Sequence, residues 1–353
     1  MQEQKLHYKD IVLANPVYSD IQSRDDISSN VEFLGKTFNS CAIPANMQCS
    51  INFELAEQLS ESGHFYILHR FYNYVEILNW VGYSQNLKTI SISVGVKSQD
   101  YTLIDWLLAD NSRVDFITID IAFGHSILMK NMIQHIKEKL PDVKIIAGNV
   151  CTPEAVKDLV DWGADSVKIG LSCGAACSTF NSTGVGSPMF SAVRECGVWH
   201  PKTIRYEGTL WDIDSLYRRQ NIPIIADGGI REVGDVCKAL VAGANMVMVG
   251  SEFVKCIDSP AETKTWGSDN PTYGGLNKDY PKTKSYFGSA SAKNKGHKKY
   301  VEGNDEVILQ CNRLTYLEYF DKVNQGVRSC MSYHNLRDIK HMKTIKWSKH
   351  NAQ

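Results

Sequence analysis

Short apolar runs rich in β-branched residues recur along the first 255 residues, and each is followed by a longer amphipathic stretch. That alternation predicts βαβ units and a parallel sheet buried on both faces. Eight runs fit: Ala42 to Met47, Phe65 to His69, Thr89 to Val94, Phe116 to Ile121, Lys144 to Asn149, Ser166 to Leu171, Pro223 to Asp227 and Met246 to Gly250. Eight strands with intervening helices predict a closed (β/α)8 barrel, the alternative being an open doubly wound sheet. In CTPEAVKDLVDWGAD, Thr152 reads as an N-cap, Pro153 as the first helical residue and Gly163 as the stop, and REVGDVCKALVAGAN stops in the same way at Gly243. Asn46, His69, Asp120, Asn149 and Asp227 all fall at carboxyl ends of predicted strands, the face on which barrels place their chemistry.

Two stretches break the rhythm. The 197–219 insertion mixes aromatic and basic residues and reads as an extra surface helix, with a substrate or subunit contact as the alternative. Residues 258–304 are polar, rich in Gly, Lys, Ser and Tyr, and have no sustained period, which predicts a mobile flap after the last strand. From residue 313 the tail predicts one or two amphipathic helices with a basic end. Together these segments read as one barrel domain over 1–353, with a strand core at about 40–255.

Composition narrows the partners. A net charge of -1 over 353 residues removes the basic footprint of a nucleic-acid or anionic-membrane binder. A small anionic ligand stays open, because backbone amides bind one without net positive charge. The ten cysteines come with no apolar leader in MQEQKLHYKD, which predicts reduced thiols and a cytoplasmic setting. With no C-x-x-C pair and scattered histidines, no metal site is expected. No apolar run reaches the roughly 20 residues of a membrane span.

The most informative segment is KIGLSCGAACSTFNSTGVGSP, residues 168–188. Its glycines allow a tight loop at a strand end, and Cys177 inside it reads either as a nucleophile facing a pocket or as a small buried filler. DGGI at 227–230 and VGSEF at 249–253 end the last two strands, where barrels form phosphate sites from backbone amides.

These motifs, with DIVLANPVYSDIQSRDDI, IPANMQ, FYILHRF, SISVGVK, TIDIAFGHS, IAGNV, IIADGGI, MVMVGS, YFGSAS and VEG in order, resemble the family of IMP dehydrogenases and GMP reductases. The chain is similar to the reductase branch: only Arg70 to Ile90 separates the second and third strands, leaving no room for the dehydrogenases' regulatory domain. The Arg205-Tyr206 pair, moreover, precedes the seventh strand instead of lying on the flap.

The resemblance implies an NADPH-dependent reductase of a purine nucleoside monophosphate, acting as a homotetramer. Cys177 would be the nucleophile, with Thr179 and Glu302 moving the proton that makes ammonia a leaving group. Asp227 would bind the ribose hydroxyls. Gly228, Gly229, Gly250, Ser251 and Tyr286 would contact phosphate, and Ser289 and Ser291 the base or ribose. Asp120, Asn149 and Arg70 would line the nicotinamide side, and a potassium ion could sit at Gly170 and Gly174. Ala175 replaces a phosphate-binding serine, and Phe123 stands where the family is polar. These departures motivate a rival reading as a reductase of dGMP or another 2-aminopurine nucleotide. A non-catalytic nucleotide-binding barrel is the other rival, and Cys173 raises a disulfide with Cys177.

Overall fold

The computed structural model describes residues 5–14, 16–174, 177–197, 203–206, 209–212, 222–265, 282–295, 299 and 301–350, with backbone alone for 203–206, 209–212, 265, 294 and 295. Seven parallel strands form one curled sheet: β1 (Ala42–Pro44), β2 (Ser91–Val94), β3 (Phe116–Asp120), β4 (Lys144–Val150), β5 (Ser166–Ile169), β6 (Ile224–Asp227) and β7 (Met246–Val249). Their order around the sheet is β1-β7-β6-β5-β4-β3-β2, so the two ends in space, β1 and β2, flank the expected second strand.

That expected strand, Phe65 to His69, is buried between them but is not a ladder strand. Leu68 N–H donates to Ser91 C=O at 3.1 Å. The carbonyls that would continue the ladder are taken by side chains: Ser93 Oγ donates to Leu68 C=O, and both Tyr66 OH and Ser60 Oγ donate to Thr89 C=O. These bonds stitch the segment to the β2 edge of the sheet, and the chain has the TIM-barrel architecture.

Helices Phe53–Glu61, Ser98–Ala109, Ile127–Lys139, Pro153–Trp162, Met189–Gly197 and Val233–Ala242 pack outside the sheet. Thr152 Oγ1 accepts from Ala155 N–H ahead of Pro153, and Gly163 and Gly243 end their helices as expected. None of the described helices is long and apolar enough to cross a membrane.

At the amino ends of the strands a hairpin, Val31–Phe33 with Lys36–Phe38, plugs the barrel. Phe33 and Phe38 lie 5.4 and 5.0 Å from Phe65, which stands edge-on to Phe116 at 5.1 Å. This leaves the carboxyl ends free for chemistry.

The described parts of the two irregular stretches contain paired strands. Within the insertion, Thr203–Tyr206 and Thr209–Asp212 pair as an antiparallel hairpin, so the surface-helix expectation fails there; β-branched and aromatic residues in both runs suit strands. Apart from Gly197, which ends the helix Met189–Gly197, the rest of that insertion and Ala175 lie outside the described residues. The flap is built on a three-stranded antiparallel sheet of Thr263–Thr265, Lys282–Tyr286 and Val307–Gln310. The tail forms the helix Tyr316–Tyr333, then Trp347–Lys349 pairs with Ile11–Leu13 and ties the two ends of the described chain together.

Two buried histidines make stability pH-dependent. Burial pushes His64, tilted against Phe320 at 4.1 Å, and His69, stacked on Tyr72 at 4.3 Å, down to about 4. In the unfolded chain they protonate near 6.5. Between these values the unfolded chain holds more protons, so stability is full above about pH 6.5 and falls as pH drops towards 4. A loss of about 2–4 kcal/mol between pH 7.5 and 4.5 is expected from urea unfolding. H64L should flatten part of that slope.

Candidate active site

A cavity of about 820 Å³ opens at the carboxyl ends of the strands. Its wall carries Cys177, Thr179 and Glu302 on one side and Asp120, Asn149, Lys168 and Asp227 below. Arg70, Tyr286, Ser289, Gly170 and Gly174 also line it.

The cysteine loop is pinned to the flap by backbone pairing. Cys177 and Gly303 form an isolated antiparallel bridge, and Ser178 N–H donates to Glu302 C=O at 2.9 Å. Gly303 itself is packed against the flap turn, because a Cβ there would come within 2.8 Å of Ser291 N and 3.0 Å of the Ala290 carbonyl carbon. Side chains then line up: Cys177 Sγ donates to Thr179 Oγ1 at 3.3 Å, and Thr179 Oγ1 donates to Glu302 Oε2 at 3.0 Å. This is a continuous path from a thiol through a hydroxyl to a carboxylate.

Beneath it, the strand residue Lys168 is 1% exposed, and its ammonium lies 2.9 Å from Asp120 Oδ1, 3.0 Å from Asp227 Oδ2 and 3.1 Å from Asn46 Oδ1. Burial alone would lower the lysine's pKa, but the two carboxylates outweigh it and raise it. Burial likewise pushes Asp120 up, yet Lys168 and then Arg70 hold its carboxyl below the ordinary range. Asn149 Nδ2 donates to Asp227 Oδ2 at 2.8 Å and to Gly170 C=O at 2.9 Å, which fixes the aspartate's rotamer. Gly170 is irreplaceable: a Cβ would sit 1.9 Å from Asp227 O, at φ +154°.

Asn46 was read from the sequence only as a polar residue at a strand's carboxyl end, and Lys168 was not among the site residues. The signal for Lys168 was present, since a lone lysine inside the apolar strand SVKI must find a buried partner. Replacing Lys168 by Met strands two carboxylates, so a stability loss of about 3–5 kcal/mol is expected from chemical denaturation. A loss below about 1 kcal/mol would contradict the network.

The other expected residues divide. Tyr286 is buried, and its hydroxyl stands against Gly250, where a Cβ would approach it to 2.7 Å. Ser251 opens the short helix Ser251–Val254 at the end of β7, and Ser291 is fully buried within the flap; neither lines the cavity. Gly228 and Gly229 abut the cysteine loop, and Gly229 N–H already donates to Cys173 C=O at 3.1 Å. Gly170 C=O accepts from Asn149 Nδ2, and Gly174 C=O accepts from Cys177 N–H at 3.0 Å.

Cys173 is an unpaired thiol donating to Leu171 C=O and Ser187 C=O, both at 2.9 Å, and burial pushes it up to about 12. That environment disfavours the thiolate a disulfide with Cys177 would need. Phe123 is 56% exposed, beside His125 and away from the cavity.

A match to the family model described as IMP dehydrogenase / GMP reductase domain covers residues 5–352. Among curated relatives, the GMP reductase of Bacillus licheniformis is 38% identical over 335 residues, 94% of this chain and 91% of its own length. The GMP reductase of Mesoplasma florum is 37% identical over 340 residues, covering 96% and 95%. That of Lysinibacillus sphaericus is 40% identical over 331 residues, covering 92% and 90%. Fold, site and relatives agree: the chain belongs to the IMP dehydrogenase / GMP reductase family.

Proposed function

We propose that this chain is a GMP reductase, which converts GMP to IMP and ammonia at the expense of NADPH. The observation that carries this reading is the Cys177–Thr179–Glu302 hydrogen-bonded chain facing a cavity whose floor is Asp227. A binding module has no use for a thiol wired to a carboxylate.

With GMP in the cavity, Asp227 accepts from the ribose hydroxyls and Tyr286 faces the phosphate, with Gly250 and Ser251 behind it at the end of β7. Ser289, on the cavity wall, faces the base, and the buried Ser291 supports the flap behind it. The Cys177 thiol passes its proton along Thr179 towards Glu302, and sulfur adds to C2 of the purine. The proton returns by the same path to the 2-amino group, so the C2–N bond breaks with ammonia leaving, and a Cys177 thioimidate remains. NADPH, when bound, supplies the hydride to C2. The C2–S bond then breaks, which frees the thiolate and gives IMP. In sum GMP, NADPH and a proton yield IMP, NADP+ and ammonia.

The cavity fits a nicotinamide beside the base. Asn149 Oδ1 is a buried acceptor that no described residue satisfies, and it suits the amide N–H of a carboxamide. Arg70 and Asp120 form the adjoining wall and keep it polar.

We further assign the chain to a single barrel domain and a homotetramer in the cytoplasm. The exposed apolar residues Phe123, Ile127 and Leu128 supply a surface that assembly would cover, and ten unpaired thiols suit a reducing compartment. Product analysis tests the central reading. GMP should consume NADPH with one IMP and one ammonia per NADPH, and dGMP should be slower because Asp227 loses one of its two hydroxyl donors. NADPH consumption without ammonia, or a preference for dGMP, would refute it.

A further inference from the structure

Lys284 is a second buried lysine, 2% exposed, and no described carboxylate lies within ion-pair distance of it. Its ammonium instead faces three main-chain carbonyls: Ser259 C=O at 3.1 Å, Ile257 C=O at 3.3 Å and Ala261 C=O at 3.4 Å. The nearby Asp258 carboxylate is turned away, accepting from Tyr316 N–H at the start of the helix Tyr316–Tyr333. A ring of carbonyls around a dehydrated cation is the chemistry by which proteins hold monovalent ions. Burying an ammonium without a counter-charge is costly, so the cage must compensate it.

The cage has a purpose set by its position. The carbonyls belong to the turn that follows β7 and the short helix Ser251–Val254, whereas Lys284 belongs to the flap strand Lys282–Tyr286. Two residues further on, and therefore on the same face of that strand, Tyr286 places its hydroxyl against Gly250. Strand pairing of Lys284 with Thr263 and the bond from Ser285 N–H to Glu262 C=O complete the junction.

We propose that Lys284 is a positioning residue, a tethered cation in the 257–261 carbonyl cage that fixes the flap strand so that Tyr286 stands at the nucleotide's phosphate. The Tyr286 half of this assignment rests on the reading of the cavity as a nucleotide site; the cage itself does not.

Chemical rescue tests it. K284A removes the ammonium and leaves a cage open to a small cation. It should raise the KM for GMP by about tenfold while kcat changes by less than about threefold, and it should lower Tm. n-Propylammonium, which replaces the deleted atoms, should restore both KM and Tm in this variant but leave the unaltered chain unmoved. Tetrabutylammonium, too large for the cage, should do neither. K284M, which keeps the side-chain bulk without the charge, should share the KM defect. A K284M enzyme with the unaltered KM, or a K284A protein whose KM and Tm ignore n-propylammonium, would overturn the proposal. If the unaltered chain does not bind GMP, the nucleotide reading fails, and the cage is then judged by Tm rescue alone.

Discussion

Cys177→Ala is expected to lower GMP turnover by a factor of about 10⁴ or more while leaving the affinity for GMP within about threefold. The size of the first effect follows from the role: without the sulfur no bond forms at C2, and the amino group of a guanine has no other route to departure. Retained affinity follows from the geometry. Asp227, Lys168 and Asn149 are organised by one another, not by the thiol, and Tyr286 is held by the flap strand. Alanine removes the Sγ bonds to Thr179 Oγ1 and to Glu302 C=O but keeps the pairing of Cys177 with Gly303 and the bond from Ser178 to Glu302, which are main-chain contacts. Isothermal titration with GMP and steady-state ammonia release measure the two quantities separately. Turnover within about tenfold of the unaltered chain would remove the thiol from the mechanism.

Glu302→Gln is expected to cost about 10²–10⁴ in turnover, through deamination alone. Glutamine keeps the shape and can still accept from Thr179, so the 3.0 Å contact survives. It cannot take up a proton and return it, so the 2-amino group leaves unprotonated. The hydride step uses no proton from this path. A solvent-independent deuterium effect from labelled NADPH should therefore shrink towards unity in the variant, as deamination becomes limiting. Thr179→Val should give a similar loss, and the double variant should lose little more, since the two groups act in series. Equal slowing of both steps would show that Glu302 shapes the flap and does not relay a proton.

The sequence made much of this legible because barrel strands are short, apolar and punctuated by helices with readable caps: Thr152, Pro153 and Gly163 lie where their chemistry predicted. The expected strand at Phe65 to His69 has the right apolar pattern but lacks ladder bonds, since neighbouring hydroxyls occupy the carbonyls, and no periodicity encodes that. The plug of Phe33 and Phe38 was missed because a three-residue strand carries too little pattern to register. Within the site, Cys177 could be suspected from its glycine-rich loop. Glu302 could not: 125 residues separate it from the cysteine, and only the bridge at Gly303 and the resemblance to a family bring them together. Lys168 was legible and overlooked, a charge inside an apolar strand whose partners, Asp120 and Asp227, were themselves on the page.

The central claim is a covalent bond between Cys177 and C2 of the purine. Enzyme incubated with IMP and NADP+ in the absence of ammonia should accumulate that thioimidate, because hydride removal is then possible and amination is not. Acid quench and peptide mass spectrometry should find one purine nucleotide on the peptide containing Cys177, matched by NADPH formed in the same burst. NADPH formed with no adduct, or an adduct on any other cysteine, would contradict the account.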